Sequence, residues 1–281
     1  MAGFENEVVV ITGAGGGIGR AVAQRFARKK AIVIAADLDK ARAVHTVESI
    51  EAFGGFATPY AVDVADGVAM ESFAEDIHTE FGTPRVLVNN AGYVTAGPFL
   101  EHTLEDWERL LGVNVWGLIY GCTHFGRQMV ESGRGGRIIN VTSVAAFTPI
   151  PLSTAYCASR AAAHMLTEGL RLEFAGTGVG VTAVCPAPVH TGIYEDGDTD
   201  PGNIARTIVR AAARNPAVVS TPIEARALYL ATRVSPGGAR LAARVLRPDR
   251  LTGLRTRVPR PSVLTRIDDY LARKLEGPDR R

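Results

Sequence analysis

The stretch Glu7-Val-Val-Val-Ile-Thr12-Gly-Ala-Gly-Gly-Gly-Ile-Gly19 decides how the rest of the chain reads. Its first half is an apolar, β-branched run without polar alternation, the pattern of a strand covered on both faces, as in a parallel sheet. The glycine cluster at 13–19 leads directly into a helical pattern with Val22, Phe26 and Ala27 on one face. Glycine tolerates positive φ and lets bare N–H groups approach an anion, which then rests on the positive end of the helix dipole. A glycine-rich turn alone is as readily a flexible connection. Asp37, closing a second strand 18 residues after Gly19, makes it a dinucleotide cradle. A carboxylate there accepts both adenosine ribose hydroxyls and repels a 2′-phosphate. Gly16 and Leu38 supply no offsetting cation, although Arg42 lies a turn further on. NAD is therefore favoured over NADP.

Outward from this stretch, strands and helices alternate. Strands are expected at 31–36, 57–62, 85–89, 137–142 and 179–184, with a short last one at 217–220. Helices are expected at 40–52, 68–81, 154–175 and 203–214, with one long helix over about 104–131. Right-handed crossovers between such strands give a doubly wound α/β fold: a mostly parallel Rossmann sheet in three α/β/α layers. Residues 187–200 read as a loop rich in Gly, Asp and Thr. The expected organisation is one domain over 1–222 and a basic helical extension over 223–281, with helices near 223–233 and 263–275.

The spacing Thr12-Gly-x-x-x-Gly-x-Gly19 resembles that of the short-chain dehydrogenase/reductase family, and the resemblance continues for most of the body. It runs through Asp63-Val64, Asn89-Asn90-Ala91-Gly92, Asn114 in Asn-Val-Trp-Gly, and Ser143. Tyr156 follows thirteen residues after Ser143, and Cys185-Pro-Ala-Pro-Val-His-Thr191 resembles the family's Pro-Gly-x-Val-x-Thr segment with Ala187 for glycine. About residues 6–195 are covered. The resemblance implies a cofactor site of Gly13, Gly15, Gly16, Gly17, Ile18, Gly19, Asp37, Leu38, Asp63, Val64, Asn90, Ala91, Gly92, Tyr156, Arg160, Pro186, Val189 and Thr191.

It also implies a catalytic set of Asn114, Ser143, Tyr156 and Arg160. In the family a serine hydroxyl orients the substrate oxygen and a tyrosine gives or takes the proton. Free tyrosine ionises near pH ~10, so a neighbouring cation has to stabilise the tyrosinate. The family's cation is a lysine four residues after the tyrosine, and this chain reads Tyr156-Cys-Ala-Ser-Arg160. Arginine keeps the charge but spreads it, and it stays protonated at any working pH, so it does not readily pass on a proton as lysine does in the family's relay through water. The expected function is NAD(H)-dependent interconversion of a hydrophobic secondary alcohol and its ketone, or of an alcohol and an aldehyde. The alternative is a catalytically weakened NAD-binding regulatory or scaffold protein.

Expected pocket walls are Tyr93, Val94, Phe99, Phe147, Pro149, Ile150, Leu152, Ile193 and Tyr194, which serve equally as interior packing. The six histidines show no ligand spacing, so no metal is implied. Cys122, Cys157 and Cys185 form no CxxC; together with an N-terminus lacking an apolar signal core, they point to the cytoplasm. No apolar run approaches a membrane span. Net charge is +2, but residues 233–281 carry 13 Lys and Arg against 5 Asp and Glu, leaving the body net acidic. Such a tail packs on the body or a second subunit in preference to an anionic membrane surface. Nucleic acid is not an expected partner. A homo-oligomer is, either a dimer through the 104–131 and 154–175 helices or a tetramer.

Overall fold

The computed structural model describes residues 3–150, 152–187, 189–191, 194–198 and 200–221, together with Ala225, Ala227, Tyr229 and Leu230. The expected helix at 263–275 and most of the extension lie outside the described residues. Seven parallel strands form one sheet: β1 (Val8–Thr12), β2 (Ile32–Asp37), β3 (Phe56–Ala61), β4 (Val86–Asn89), β5 (Gly136–Val141), β6 (Val179–Pro186) and β9 (Val218–Thr221). Their spatial order is β3-β2-β1-β4-β5-β6-β9. The order reverses between β1 and β4, which opens a crevice beyond the carboxyl ends of those two strands. In register, Val10 of β1 sits between Ile34 of β2 and Leu87 of β4.

Successive strand residues point to opposite faces, and both faces are buried. Val9, Ile11, Val33 and Val88 pack beneath Val22 and Phe26 of α1 (Gly17–Ala27), Val47 and Ile50 of α2 (Lys40–Glu51), and Ile204 and Ile208 of α7 (Pro201–Arg214). Val10, Ile34, Leu87 and Ile138 face the other way. They meet Phe73 of α3 (Gly67–Phe81), Phe125 and Met129 of α5 (Gly117–Glu131), and Ala163 of α6 (Thr154–Glu173). This is the three-layer arrangement expected from the unbroken apolar runs.

Two expectations need correction. The single helix over 104–131 is α4 (Leu104–Leu111) and α5 joined by a π-turn at Gly112–Trp116. A π-turn inserts an extra residue without ending the helix, so no proline or capping residue marks it in the sequence. The stretch 187–200 is not a plain loop: β7 (Val189–Thr191) and β8 (Tyr194–Asp198) form a two-stranded antiparallel hairpin. Its acidic composition carries no alternating pattern by which a strand is recognised.

Candidate active site

The turn after β1 is built for close backbone approach. Gly13 has φ +63°, and a Cβ there would lie 2.9 Å from the Ala91 Cα. A side chain on Gly19 would run into the Gly13 carbonyl. α1 starts at Gly17 with no side-chain cap and no acidic residue in its first turn, so its leading N–H groups and dipole face the crevice. Gly15 N–H donates to Asp37 Oδ2 at 2.8 Å, tying the turn to the end of β2.

Several polar residues brace this turn. Thr12 Oγ1 accepts the N–H groups of Asn90 and Ala91, each at 3.1 Å. Asn90 Nδ2 donates to the carbonyls of Thr12 and Gly13 at 3.0 and 3.1 Å. The carboxamide of Asn90 thus holds the cradle from below. Arg20 donates from Nε to Thr46 Oγ1 and from Nη2 to the Gly15 carbonyl, while Thr46 Oγ1 donates to the Ala14 carbonyl at 2.8 Å. Thr12, Arg20 and Thr46 were not among the expected site residues. The one available signal was Thr46, a polar residue on the apolar stripe of α2 with Ala43, Val47 and Ile50.

The remaining cofactor candidates line the same sheet edge. Leu38 stands 68% exposed beyond Asp37. Asp63 is exposed and accepts the Ala65 N–H, whereas Val64 is buried against Gly117. Pro186 closes β6, and Val189 and Thr191 lie on β7.

Asn114 is buried within the π-turn, with its carboxamide fully engaged. Oδ1 accepts the Tyr93 N–H at 2.8 Å; Nδ2 donates to the Tyr93 carbonyl at 2.8 Å and to Ser159 Oγ at 3.0 Å. Ser143 follows β5, half-buried, and its Oγ accepts the Ala145 N–H at 3.1 Å, which leaves the hydroxyl proton for another acceptor. Tyr156 is buried on the first turns of α6, and its hydroxyl bonds to no other described group.

Arg160, one turn along α6, is also buried. Its Cζ lies 5.2 Å from the Tyr156 ring centroid, Nη1 donates to the Val141 carbonyl at 3.3 Å, and Nη2 fills the space where a Gly92 side chain would stand. Its Nε has no partner among the described residues. With Asn114, Thr12 and Asn89 it borders a cavity of about 10 Å³, the scale of one water.

Around Tyr156 an apolar cluster forms from Leu110, Ala145 and Ala155, with Tyr93, Val94, Trp107 and Ile150 against it. Trp107, with Phe99 at 6.2 Å, is a wall that sequence reasoning missed. Phe147 lies elsewhere: its ring packs on His164 and, at 5.2 Å, on Tyr229. Pro149 is exposed. Ile193 and the side chain of Tyr194 lie outside the described residues. Among the described residues no three His, Cys, Asp or Glu side chains gather into a metal-binding group, and no helix is long and apolar enough to cross a membrane.

The family model described as short chain dehydrogenase matches residues 7–201. The chain belongs to the short-chain dehydrogenase family. It is 39% identical over 268 residues to the Mycobacterium tuberculosis protein named "Probable oxidoreductase EphD", covering 86% of this chain and 45% of that relative. It therefore spans less than half the length of that relative. The meso-2,3-butanediol dehydrogenase of Serratia marcescens is 37% identical over 188 residues, 67% of this chain and 73% of that enzyme. A short-chain dehydrogenase/reductase from Burkholderia phymatum, solved with NAD, superposes with a TM-score of 0.78 at 28% identity, covering 83% of this chain and 96% of that one. A metagenomic short-chain oxidoreductase solved with NADP gives 0.72 at 28% identity over 78% and 98%.

The residues present fit a dinucleotide. Side chains at Gly13 and Gly19 would fill the approach, the α1 N-terminus faces it, and Asp37 is tied to the turn from the end of β2. A buried donor without an acceptor, such as Arg160 Nε, costs about 1–3 kcal/mol, which a ligand oxygen would offset.

Proposed function

We propose that the chain is an NAD(H)-dependent oxidoreductase that interconverts a hydrophobic secondary alcohol and its ketone, or an alcohol and an aldehyde. The observation that carries this reading is the buried pairing of Tyr156 with the Arg160 guanidinium over its ring. When bound, the dinucleotide supplies or accepts the hydride. Gly13 to Gly19, Asp37, Leu38, Val64 and Asn90 to Gly92 hold it against the crevice. Pro186, Val189 and Thr191 border it from the β6 side.

The side chains handle the proton and the geometry. Ser143 donates its hydroxyl proton as a hydrogen bond to the substrate oxygen and so orients it. Tyr156 gives its phenolic proton to that oxygen during reduction and takes it back during oxidation. Arg160 stabilises the negative charge that gathers on the phenolic oxygen as the proton leaves. Asn114 acts through Tyr93, whose backbone it fixes at both N–H and carbonyl, and so positions the wall of the substrate site. The apolar cluster of Tyr93, Val94, Trp107 and Ile150 supports a hydrophobic substrate.

Three free thiols support a reducing cytoplasm, and Tyr229 against Phe147 supports packing of the 223–281 extension on the body. The α5 and α6 faces support a homo-oligomer.

The test is a panel of alcohols and carbonyls followed by NADH absorbance. Tyr156→Phe is expected to lower kcat by at least about a hundredfold, the usual scale of an acid–base contribution, while NADH affinity is unchanged. A fully active Tyr156→Phe would end the assignment. Arg160→Lys distinguishes the weakened binding module. A large gain in rate with lysine marks the native set as impaired, and a loss marks a site adapted to arginine.

A further inference from the structure

Arg42 sits in the first turn of α2, three residues past the N-cap Asp39. Its side chain runs back over the glycine turn. The Arg42 Cβ lies 2.6 Å from where a Cβ on Gly15 would stand, and Nη2 lies 2.5 Å from the equivalent point on Gly16. The guanidinium thus occupies the side-chain place that Gly16 leaves empty. It bonds to no side chain or carbonyl and joins none of the ion pairs among the described residues.

The neighbouring charged groups behave differently. Arg20 is committed as a brace between Thr46 and the Gly15 carbonyl. Asp37 has both oxygens engaged, Oδ2 by the Gly15 N–H and Oδ1 by the Asp39 N–H at 3.1 Å. The ribose end of the cradle therefore presents one tethered carboxylate and, laid over the glycine turn itself, the exposed Arg42 guanidinium, with the exposed Lys40 at the start of α2 beside them.

We propose that Arg42 is a specificity-determining residue that binds the 2′-phosphate of NADP(H), so that the chain accepts both dinucleotides and discriminates only shallowly in favour of NAD(H). This rests on the reading of the turn as a dinucleotide cradle. A carboxylate at the end of β2 repels a phosphate on the adjacent ribose hydroxyl, and the Arg42 guanidinium beside Gly16, whose stem passes Gly15 next to that carboxylate, offsets the repulsion. Its planar fork also matches two phosphate oxygens at once, which an ammonium does not. The tip of Arg42 reaches the turn because Gly16 has no side chain, so the cation arrives from α2 instead of from the turn itself. Because Arg42 is exposed, its contribution is screened by salt.

The experiment is an equilibrium fluorescence titration of the full chain and of Arg42→Ala with NADH and with NADPH, at low and high salt. The parent is expected to bind NADPH within about tenfold of NADH, a difference of one opposed charge pair at a screened surface. Arg42→Ala is expected to weaken NADPH about tenfold or more and NADH by less than about twofold, making the protein stricter for NAD. Arg42→Lys should restore part of the NADPH affinity, and high salt should erode NADPH binding in the parent alone. A parent that binds NADH but not NADPH overturns the inference and leaves the cradle reading intact. So does an Arg42→Ala variant that loses both dinucleotides equally or neither. A parent that binds neither dinucleotide overturns the cradle reading and the inference with it.

Discussion

At the scale of single residues, the site is a set of side chains whose neighbours have already assigned their atoms. Asn90 and Asn114 read in the sequence as groups facing ligand and reactants, yet both spend their carboxamides on backbone: Asn90 on the glycine turn, Asn114 on Tyr93. Motif spacing locates such residues but does not say which way their amides turn, because that depends on a second strand brought alongside by the fold. The thiols show the same dependence. Burial pushes Cys122 up to about 12 and Cys185 up to about 11, despite hydrogen bonds from Asn140 and Thr142 that pull the other way. Burial raises Cys157 as well, but it is only half-buried beside Tyr156. Thiolate is the reactive form, so at pH ~8 both fully buried thiols are almost wholly protonated as well as shielded. A disulfide-exchange reagent at that pH is expected to label Cys157 alone in the native protein and all three cysteines in denaturant. Raising the pH to ~9 should speed Cys157 while the other two stay silent. Native labelling of Cys185 at a comparable rate would show that β6 is not sealed as described.

At the scale of elements, the strands were legible to within a residue or two because unbroken β-branched runs leave little choice of face. The π-turn and the β7–β8 hairpin were not. The first continues a helix with no cap or proline to mark it, and the second joins Val-His-Thr to Tyr-Glu-Asp-Gly-Asp, two short segments with no shared alternation. The π-turn nevertheless dictates how tightly α5 approaches the sheet. At its end, a Cβ on Gly117 would lie 2.8 Å from Val64 Cγ2 and 3.1 Å from the Val64 carbonyl oxygen. The backbone oxygen cannot swing aside, so Gly117→Ala has to lift α5 or shift the turn between β3 and α3 that carries Val64. Overpacking of this kind costs about 1–3 kcal/mol. Chemical denaturation should show that loss, and NADH affinity should fall with it, since Val64 borders the crevice. An unchanged midpoint would mean that this contact is looser than the geometry states. By contrast, Thr103→Ala removes a capping box at the start of α4, far along the helix from Asn114. It is expected to cost about 1 kcal/mol while leaving dinucleotide affinity alone.

At the scale of the whole molecule, the α5–α6 side of the sandwich keeps a groove open among the described residues. A groove of about 380 Å³ runs between the two helices, floored by Ile119, Val130, Leu166, Leu170 and Phe174 and edged by Arg127 and Glu131. On the π-turn and α6 themselves, Trp116 is 50% exposed, Met165 62% and Leu172 78%. Exposed apolar residues gathered on two neighbouring helices and rimmed by charge mark a candidate interface. The two helices antiparallel to their own copies across a two-fold axis would bury the groove against the same groove, which is the self-complementary contact a dimer requires. Placing a carboxylate on each exposed flank tests this without touching the core. Val130→Glu combined with Met165→Glu would bury unpaired charges at such an interface, at a cost of several kcal/mol per charge by the usual desolvation scale (about 3–5 when a partner is missing). Light scattering is expected to find the parent as a dimer or tetramer and the double variant as a monomer with native circular dichroism. A monomeric parent, or an unshifted variant, would remove this face from consideration. The same comparison bears on catalysis, because α6 carries both the exposed Met165 and the buried Tyr156–Arg160 pair. If pairing of α6 with its copy stiffens the helix that holds the proton-transfer residues, the folded monomer should keep its NADH affinity and lose turnover.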